Sequence, residues 1–324
     1  MFMNKIMIIM KNFFEINRAL AAKKKILTLV VAALCCATMF ATEGALNGRF
    51  TINADGDQIF FSQGNLQYQP STQIWLFAEN QWDYVGTPQS NDLFDLFGWA
   101  TGSTPTSGPK YPYVDWGTNA ISNGGNEANL WRTLTIYEWI YLFRERTNAA
   151  TLFALGSVNE VNGVILLPDN WVLPEGASFV ASTTQGLEPF SYYYYNNGGN
   201  NFYDNTYTTA QWAVMETAGA VFLPAAGLRD GSQLLAMNAE GFYWSSSDDN
   251  AEYPSNLWFR SYQLNPEDDH QANIGLSVRL VKDVDTTPIE NVDVTTKVSK
   301  TLRDGVLLIE KNGKTYNAVG AEVK

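Results

Sequence analysis

Short apolar runs, rich in β-branched and aromatic residues, recur along the chain from residue 46 to about residue 283. Gly, Asn, Pro or Ser interrupts them about every eight to twelve residues, which is typical of short strands joined by turns. No unit recurs at a fixed period, so the sequence does not predict a solenoid. The strand candidates are residues 49–52, 58–61, 74–77, 164–167, 220–223, 242–245, 257–262 and 277–281.

One helix carries a clear start signal. Thr135 and Glu138 have the spacing of a capping box, in which each side chain bonds the backbone amide of the other residue. Leu134 and Trp139 flank them at the positions of a hydrophobic staple. Apolar residues then continue at helical spacing, and the charged residues 144–146 mark the polar end.

A second, weaker helical pattern covers residues 92–97. Few helices set among many brief strands and long loops are the pattern of an α+β domain. The sequence therefore predicts an α+β fold with short antiparallel strands and much irregular backbone.

The amino-terminal segment differs from the rest of the chain. A basic cluster at residues 23–25 precedes an apolar run over residues 26–41, which is short for a membrane span but suits the core of a signal peptide. We expect residues 1–41 to be a signal peptide, with no membrane insertion after cleavage. Lipid modification at Cys35 or Cys36, and a retained anchor, are the alternatives.

Composition limits the chemistry of the mature chain. Cys35 and Cys36 are the two cysteines of the sequence, so removal of the leader excludes a disulfide, a thiol nucleophile and a thiolate-bound metal. The leader also carries six basic residues and one acidic residue, so its loss changes the formal charge from −12 to −17. Such a charge repels phosphate backbones, which argues against nucleic acid as a partner.

Composition changes after the main domain. Residues 284–299 form a polar, threonine-rich stretch around Pro288, which indicates a linker. Residues 306–310 and 314–318 are strand-like and flank an Asn-Gly pair, the signature of a tight hairpin. The sequence thus predicts a small β tail over residues 300–324.

Catalytic and metal-binding candidates are few. His270 lies in a polar stretch, residues 266–271, which predicts an exposed loop unsuited to general base catalysis. The acidic groups at residues 248–252 and 267–269 offer oxygen ligands for calcium, but without the spacing of a calcium loop. A structural calcium ion stays a candidate and no other cofactor is predicted, with the metal-ligating residues left unassigned. A carboxylate pair for glycoside hydrolysis also stays open.

Residues 191–203 have the composition of a recognition loop. Tyrosine gives a large contact area at low entropic cost, and asparagine gives adaptable hydrogen bonds. The alternative is a surface loop whose tyrosine side chains pack against the domain surface. The candidate ligand-binding residues of this segment are Tyr193, Tyr194, Tyr195, Asn196, Asn200 and Tyr203.

Four strings, in the same order, resemble the C-type-lectin-like fold of the sulfatase-modifying factor type and of the Fibrobacter succinogenes major paralogous domain. They are residues 131–139 (WRTLTIYEW), 222–229 (FLPAAGLR), 241–247 (GFYWSSS) and 275–281 (GLSVRLV). Other segments are similar to exported proteins of Bacteroidetes. The resemblance implies a C-type-lectin-like domain over residues 42–283.

Two departures from these families limit what the resemblance implies. Formylglycine-generating oxidases use a cysteine pair that the mature chain lacks, so that activity is not expected. The calcium-and-sugar signature of true lectins is also missing. In some relatives the segment before the closing strand, here residues 246–273, is diversified to change the ligand. That position implies Asp248, Asn250, Trp258 and Arg260 as further candidates, the alternative being an ordinary final hairpin.

The sequence therefore predicts an exported, non-enzymatic recognition or adhesion module, secreted or held at the outer-membrane surface of a Gram-negative bacterium. Its partner would be a glycan or an extracellular protein bound through Tyr- and Asn-rich loops. A hydrolase that uses two carboxylates on carbohydrate, and a structural fimbria-associated component, are the alternatives. The tail resembles type IX secretion signals, which implies a role in sorting.

Overall fold

The structure is a computed structural model that describes residues 43–85, 92–102, 112–182, 194–195, 201–247, 252–284, 299–303, 306–311, 314–317 and 322–323. The predicted signal peptide and nearly all of the predicted linker lie outside these residues. The chain divides into two compact units, one ending at Val284 and the other beginning at Asp285.

Sixteen short strands lie within the described residues of the larger unit. They are β1 Phe50–Thr51, β2 Gln58–Phe61, β3 Leu66–Gln69, β4 Ile74–Phe77, β5 Arg132–Thr133, β6 Phe153–Val158, β7 Val161–Leu166, β8 Tyr194–Tyr195, β9 Thr206–Tyr207, β10 Val221–Pro224, β11 Leu228–Asp230, β12 Gln233–Leu235, β13 Glu240–Trp244, β14 Ser255–Arg260, β15 Gln263–Asp269 and β16 Leu280–Asp283.

These strands make three four-stranded sheets and two separate hairpins. The sheets have the orders β1-β2-β16-β5, β10-β7-β6-β9 and β13-β14-β15-β8, and the hairpins are β3-β4 and β11-β12. Every pairing is antiparallel except that of β6 with β9. Short antiparallel strands with two α-helices among the described residues confirm the predicted α+β class.

The predicted capping box is confirmed at helix α1, Ile136–Ile140. Thr135 Oγ1 accepts from the Glu138 amide at 3.2 Å, and Glu138 Oε2 accepts from the Thr135 amide at 2.7 Å. A π-helical turn, Tyr141–Glu145, continues the helix. The second helix, α2 at Thr209–Thr217, also begins with a capping box and was not predicted.

The helix predicted at residues 92–97 is wrong. Phe94 forms an extended bridge with Tyr68, and Phe97 forms one with Leu276. The backbone of this segment therefore pairs with β3 at one residue and with the stretch before β16 at another, and extended backbone can make such bridges whereas a helical turn cannot.

Three apolar clusters fill the larger unit. In the first, Trp139 of α1 packs against Phe61 of β2. The second contains the fully buried Trp244 of β13. In the third, Trp212 of α2 meets the Phe222 ring of β10 edge-on, with ring centroids 5.6 Å apart. Each large side chain buried in this way contributes roughly 1.5–3 kcal/mol to folding.

The smaller unit is one antiparallel sheet in the order β17 Ser299–Arg303, β18 Val306–Lys311, β19 Lys314–Asn317 and β20 Glu322–Val323. Lys311 pairs with Lys314, so two residues join β18 to β19 and the predicted hairpin is confirmed. No helix within the described parts of either unit is long and apolar enough to cross a membrane.

Candidate functional site

The predicted tyrosine-rich segment is only partly described. Tyr193, Asn196 and Asn200 lie outside the described residues, as do Asp248 and Asn250. Tyr194 and Tyr195 form strand β8 rather than a loop, and they pair with Leu264 and Gln263 of β15. Tyr203 is 83% exposed, so its side chain does not pack against the domain surface.

The other described candidates lie on strand β14. Trp258 and Arg260 are two positions apart, which places them on the same face of the sheet. The Arg260 guanidinium sits 5.2 Å from the centroid of the Trp258 ring, and the Trp258 indole donates to Glu240 Oε2 at 2.7 Å. Arg260 also donates to the Gln263 amide oxygen.

The structure brings the tyrosine-rich segment and the β14 candidates together at the turn between β14 and β15. Strand β8 pairs with the first residues of β15, directly after that turn. Asn201 donates to the hydroxyl of Tyr262, a turn residue, at 3.3 Å. Tyr203 and Arg260, 57 positions apart, thus belong to segments that meet at one end of the sheet.

The prediction of an exposed loop around His270 is wrong. Residues 267–269 belong to strand β15, and the half-buried His270 ring meets the Phe242 ring edge-on, with centroids 4.9 Å apart. Burial lowers the pKa of His270, while burial and the charge of Asp269 raise the pKa of Asp268 to about 6. No group of acidic, His or Cys side chains in the described part of the chain could hold a metal ion.

A cleft of about 670 Å³ lies over the β3–β4 hairpin, and none of its described lining residues is a predicted candidate. Its wall combines aromatic, amide and carboxylate side chains. The lining residues are Gln63, Gln67, Leu76, Phe77, Glu79, Trp82, Asp83, Tyr84, Leu93, Asn123, Asn159 and Val161.

The floor of the cleft follows from the alternation of strand side chains. Leu66 and Tyr68 of β3 pack into the second apolar cluster, so Gln67 between them faces the other way. Gln67 lies directly opposite Leu76 of β4, and both residues line the cleft. The Gln67 side chain is 5% exposed, and among the described residues its amide has no hydrogen-bond partner.

The segment after β4 supplies the aromatic wall, which contains Trp82 and Tyr84. Asp83 fixes the turn before it, because Asp83 Oδ2 accepts from both the backbone and side-chain nitrogens of Asn80 at 2.9 Å. After it, the Val85 amide donates to Asp95 Oδ2 at 2.5 Å. Burial and the charge of Asp95 raise the pKa of Tyr84.

Not every polar residue of the lining is free to meet a ligand. The Asn123 side chain accepts from the Phe77 amide at 2.7 Å and donates to the Phe77 carbonyl at 2.9 Å, so it holds the end of β4. By contrast, Gln67, Glu79 and Tyr84 have no side-chain hydrogen bond to any described residue. These three side chains, together with Asn159 and the Trp82 indole nitrogen, which also make no side-chain hydrogen bond to a described residue, are polar groups that a ligand can engage.

The cleft was not predicted from the sequence. The signal that could have indicated it is the alternation Leu66-Gln67-Tyr68, in which a polar residue interrupts an aromatic and aliphatic strand. That alternation shows that one face of the strand is polar, but not that the opposing segments enclose a cleft above it. No family model, no curated protein and no solved structure matches the chain.

Proposed function

We propose that the chain is an exported, non-enzymatic recognition module on a C-type-lectin-like scaffold, and that the cleft over β3–β4 binds a glycan. The side chain of Gln67 carries this proposal, because it lines the cleft and makes no hydrogen bond to a described residue. A ligand hydroxyl can bond its amide without breaking a contact of the described fold, and such a hydrogen bond contributes about 0.5–1.5 kcal/mol.

The lining has the mixed chemistry that a sugar ring requires. A pyranose presents apolar C–H faces and a rim of hydroxyl groups. The rings of Trp82 and Tyr84 offer flat apolar surface with a polar edge, while Gln67 and Glu79 offer donors and acceptors for hydroxyl groups. Small-molecule sites combine apolar walls with a few placed polar groups in the same way.

Replacement of Gln67 by leucine tests this proposal directly. Leucine keeps the volume and removes the unpaired amide, so the free energy of unfolding should stay constant or rise. Binding to a glycan array, using the chain from residue 42 to residue 324, should fall at least about tenfold. A loss of stability with unchanged binding would make Gln67 structural and overturn the proposal.

The aromatic wall allows a matched comparison between two tryptophans. Trp82 and Trp171 are both partly buried and pack against the third apolar cluster, but only Trp82 is in the cleft lining. Replacing either with alanine removes the same indole from the same cluster. Trp82→Ala should abolish glycan binding, whereas Trp171→Ala should retain it at a similar loss of stability.

The surface at the β14–β15 turn is a second candidate contact region of the same module. Tyr203 is exposed, and Arg260 stacks on Trp258 beside it in the sheet. Tyr203→Ala should reduce binding of an extended glycan or protein ligand without a change in melting temperature. If Tyr203→Ala leaves binding of every ligand unchanged, this surface is not part of the site.

One observation favours hydrolysis as the second candidate function. Two carboxylates, Glu79 and Asp83, line the same cleft, as the hydrolase alternative requires. Asp83 Oδ2 is engaged by Asn80, whereas Glu79 is exposed and has no partner among the described residues. Turnover of a polysaccharide that is lost in both Glu79→Gln and Asp83→Asn would favour the hydrolase over the binding module.

A further inference from the structure

The charged groups of the cleft are all of one sign. Glu79 and Asp83 line it, and none of the lining residues that the structure describes is Lys, Arg or His. The chain as a whole is acidic, with a formal charge of −12 that becomes −17 if the leader is removed. The described lining therefore makes the potential inside the cleft negative, and a bound anion would meet no cationic side chain among these residues.

The two carboxylates differ in their hydrogen bonding to the rest of the fold. Asp83 accepts two hydrogen bonds from Asn80, which fixes its orientation within the turn. Glu79 is exposed and has no ion-pair or hydrogen-bond partner among the described residues. Its carboxylate can therefore accept a charge-assisted hydrogen bond from a cationic ligand group without breaking a contact of the fold.

Gln67 presents a polar side chain to the same cleft, and that side chain makes no hydrogen bond to a described residue. Together with the aromatic wall it favours a sugar ring. The carboxylates add a requirement on that sugar, since a uronate or sulfated ring would place a second negative charge beside Glu79 and Asp83.

We infer that the cleft selects glycans that carry free, protonated amino groups over N-acetylated and acidic glycans, with Glu79 as the acceptor for the ammonium group. This inference rests on the proposed function, because it assigns the ligand class of the same site. In this arrangement the amide of Gln67 and the rings of Trp82 and Tyr84 hold the sugar, and Glu79 distinguishes the amine from the acetamide.

Three hexasaccharides test the selection: a glucosamine hexamer, its fully N-acetylated form and a galacturonic acid hexamer. Titration calorimetry should show the glucosamine hexamer binding at least about fivefold more tightly than the N-acetylated hexamer, with no binding of the uronate. Added salt should reduce that ratio, because charge attraction at an exposed site is screened.

A charge-neutralising variant isolates the role of Glu79. Glu79→Gln should bring the ratio of the two affinities to about one, because it weakens binding of the glucosamine hexamer more than binding of the N-acetylated hexamer. Glu175→Gln is the matched control, since Glu175 is also exposed but does not line the cleft, and it should keep the ratio of the natural chain.

The outcomes separate this inference from the proposal beneath it. If no hexasaccharide binds and the glycan array is also negative, the proposed function is wrong. If the N-acetylated or uronate hexamer binds as tightly as the amine, glycan binding stands and the charge selection is wrong. If oligolysine displaces the glucosamine hexamer at equal charge concentration, the cleft selects basic peptides and the sugar assignment is overturned.

Discussion

Arg146 donates from Nη1 to Asp169 Oδ1 at 3.3 Å, although Arg146 belongs to a charged segment and its side chain is only 1% exposed. Two further donations go from its Nε to the Leu142 carbonyl at 2.8 Å and from its Nη2 to the Leu152 carbonyl at 3.3 Å. Burial lowers the pKa of Arg146 to about 10, and the charge of Asp169 opposes that change. The pair ties the end of the π-helical turn to the strand framework, because the other oxygen of Asp169 accepts from the Thr51 amide at 2.8 Å.

Asp169→Asn should therefore be strongly destabilising. The substitution leaves a buried cation without its counter-charge, which costs about 3–5 kcal/mol in comparable cases. Denaturant unfolding followed by circular dichroism measures the loss. Glu267→Gln is the control, because its ion pair with Arg144 is more exposed and should cost less than about 1 kcal/mol. An equal loss for the two variants would contradict the importance of burial.

Asp95 should make the stability of the fold depend on pH. It is fully buried, and burial raises its pKa from 3.8 to about 7. Between about pH 4 and pH 7 the folded chain thus holds a proton that the unfolded chain releases. Stability should fall by up to about 4 kcal/mol as the pH rises through this window. Above about pH 7, Asp95 should cause little further change in stability.

The variant Asp95→Asn isolates this effect. Its unfolding free energy, measured in denaturant at several pH values, should lose the decline between about pH 4 and pH 7. Asp268, with a pKa of about 6, gives a decline of the same sign, so the difference between the variant and the natural chain is the quantity to compare. Asp55→Asn, at an exposed position, should leave the pH profile unchanged.

Gly241 of β13 should not tolerate a side chain. An added Cβ would lie 2.1 Å from the Phe259 ring on the paired strand β14, and Phe259 is fully buried. Gly241→Ala should cost about 1–3 kcal/mol by overpacking. The double variant Gly241→Ala with Phe259→Leu should recover part of the loss in thermal unfolding. Additive losses would show that the ring is not the obstacle.

Local signals predicted some elements and not others. The Thr135–Glu138 capping box indicated α1, and its reciprocal hydrogen bonds are confirmed. The same pattern at Thr208 and Gln211 precedes α2 and was equally available in the sequence. Helix α2 follows a tyrosine- and asparagine-rich segment and has no clear apolar stripe of its own. Hydrophobic periodicity therefore does not support a helix there.

Tertiary contacts decided what local patterns could not. In the sequence, Arg146 is one of the charged residues that mark the polar end of a helix. Only the position of Asp169 in the fold explains why Arg146 is buried. The segment 92–97 has apolar residues at helical spacing, but Tyr68 of β3 and Leu276 each form a β-bridge with its backbone. Gln67 is ordinary in sequence, and only the fold brings it into one cleft with Trp82 and Tyr84. Sites assembled from distant segments carry no local signature.

Tyr84→Phe should separate binding from stability within the aromatic wall of the cleft. The Tyr84 hydroxyl has no hydrogen bond to any described residue, so its removal should change the unfolding free energy by less than about 0.5 kcal/mol. A neutral hydrogen bond to a ligand contributes about 0.5–1.5 kcal/mol, which predicts about a two- to tenfold weaker affinity for the glucosamine hexamer by calorimetry. Tyr137→Phe, at an exposed tyrosine of α1 outside the cleft, should change neither quantity. A loss of more than about 1 kcal/mol of stability in Tyr84→Phe would instead assign the hydroxyl to the fold.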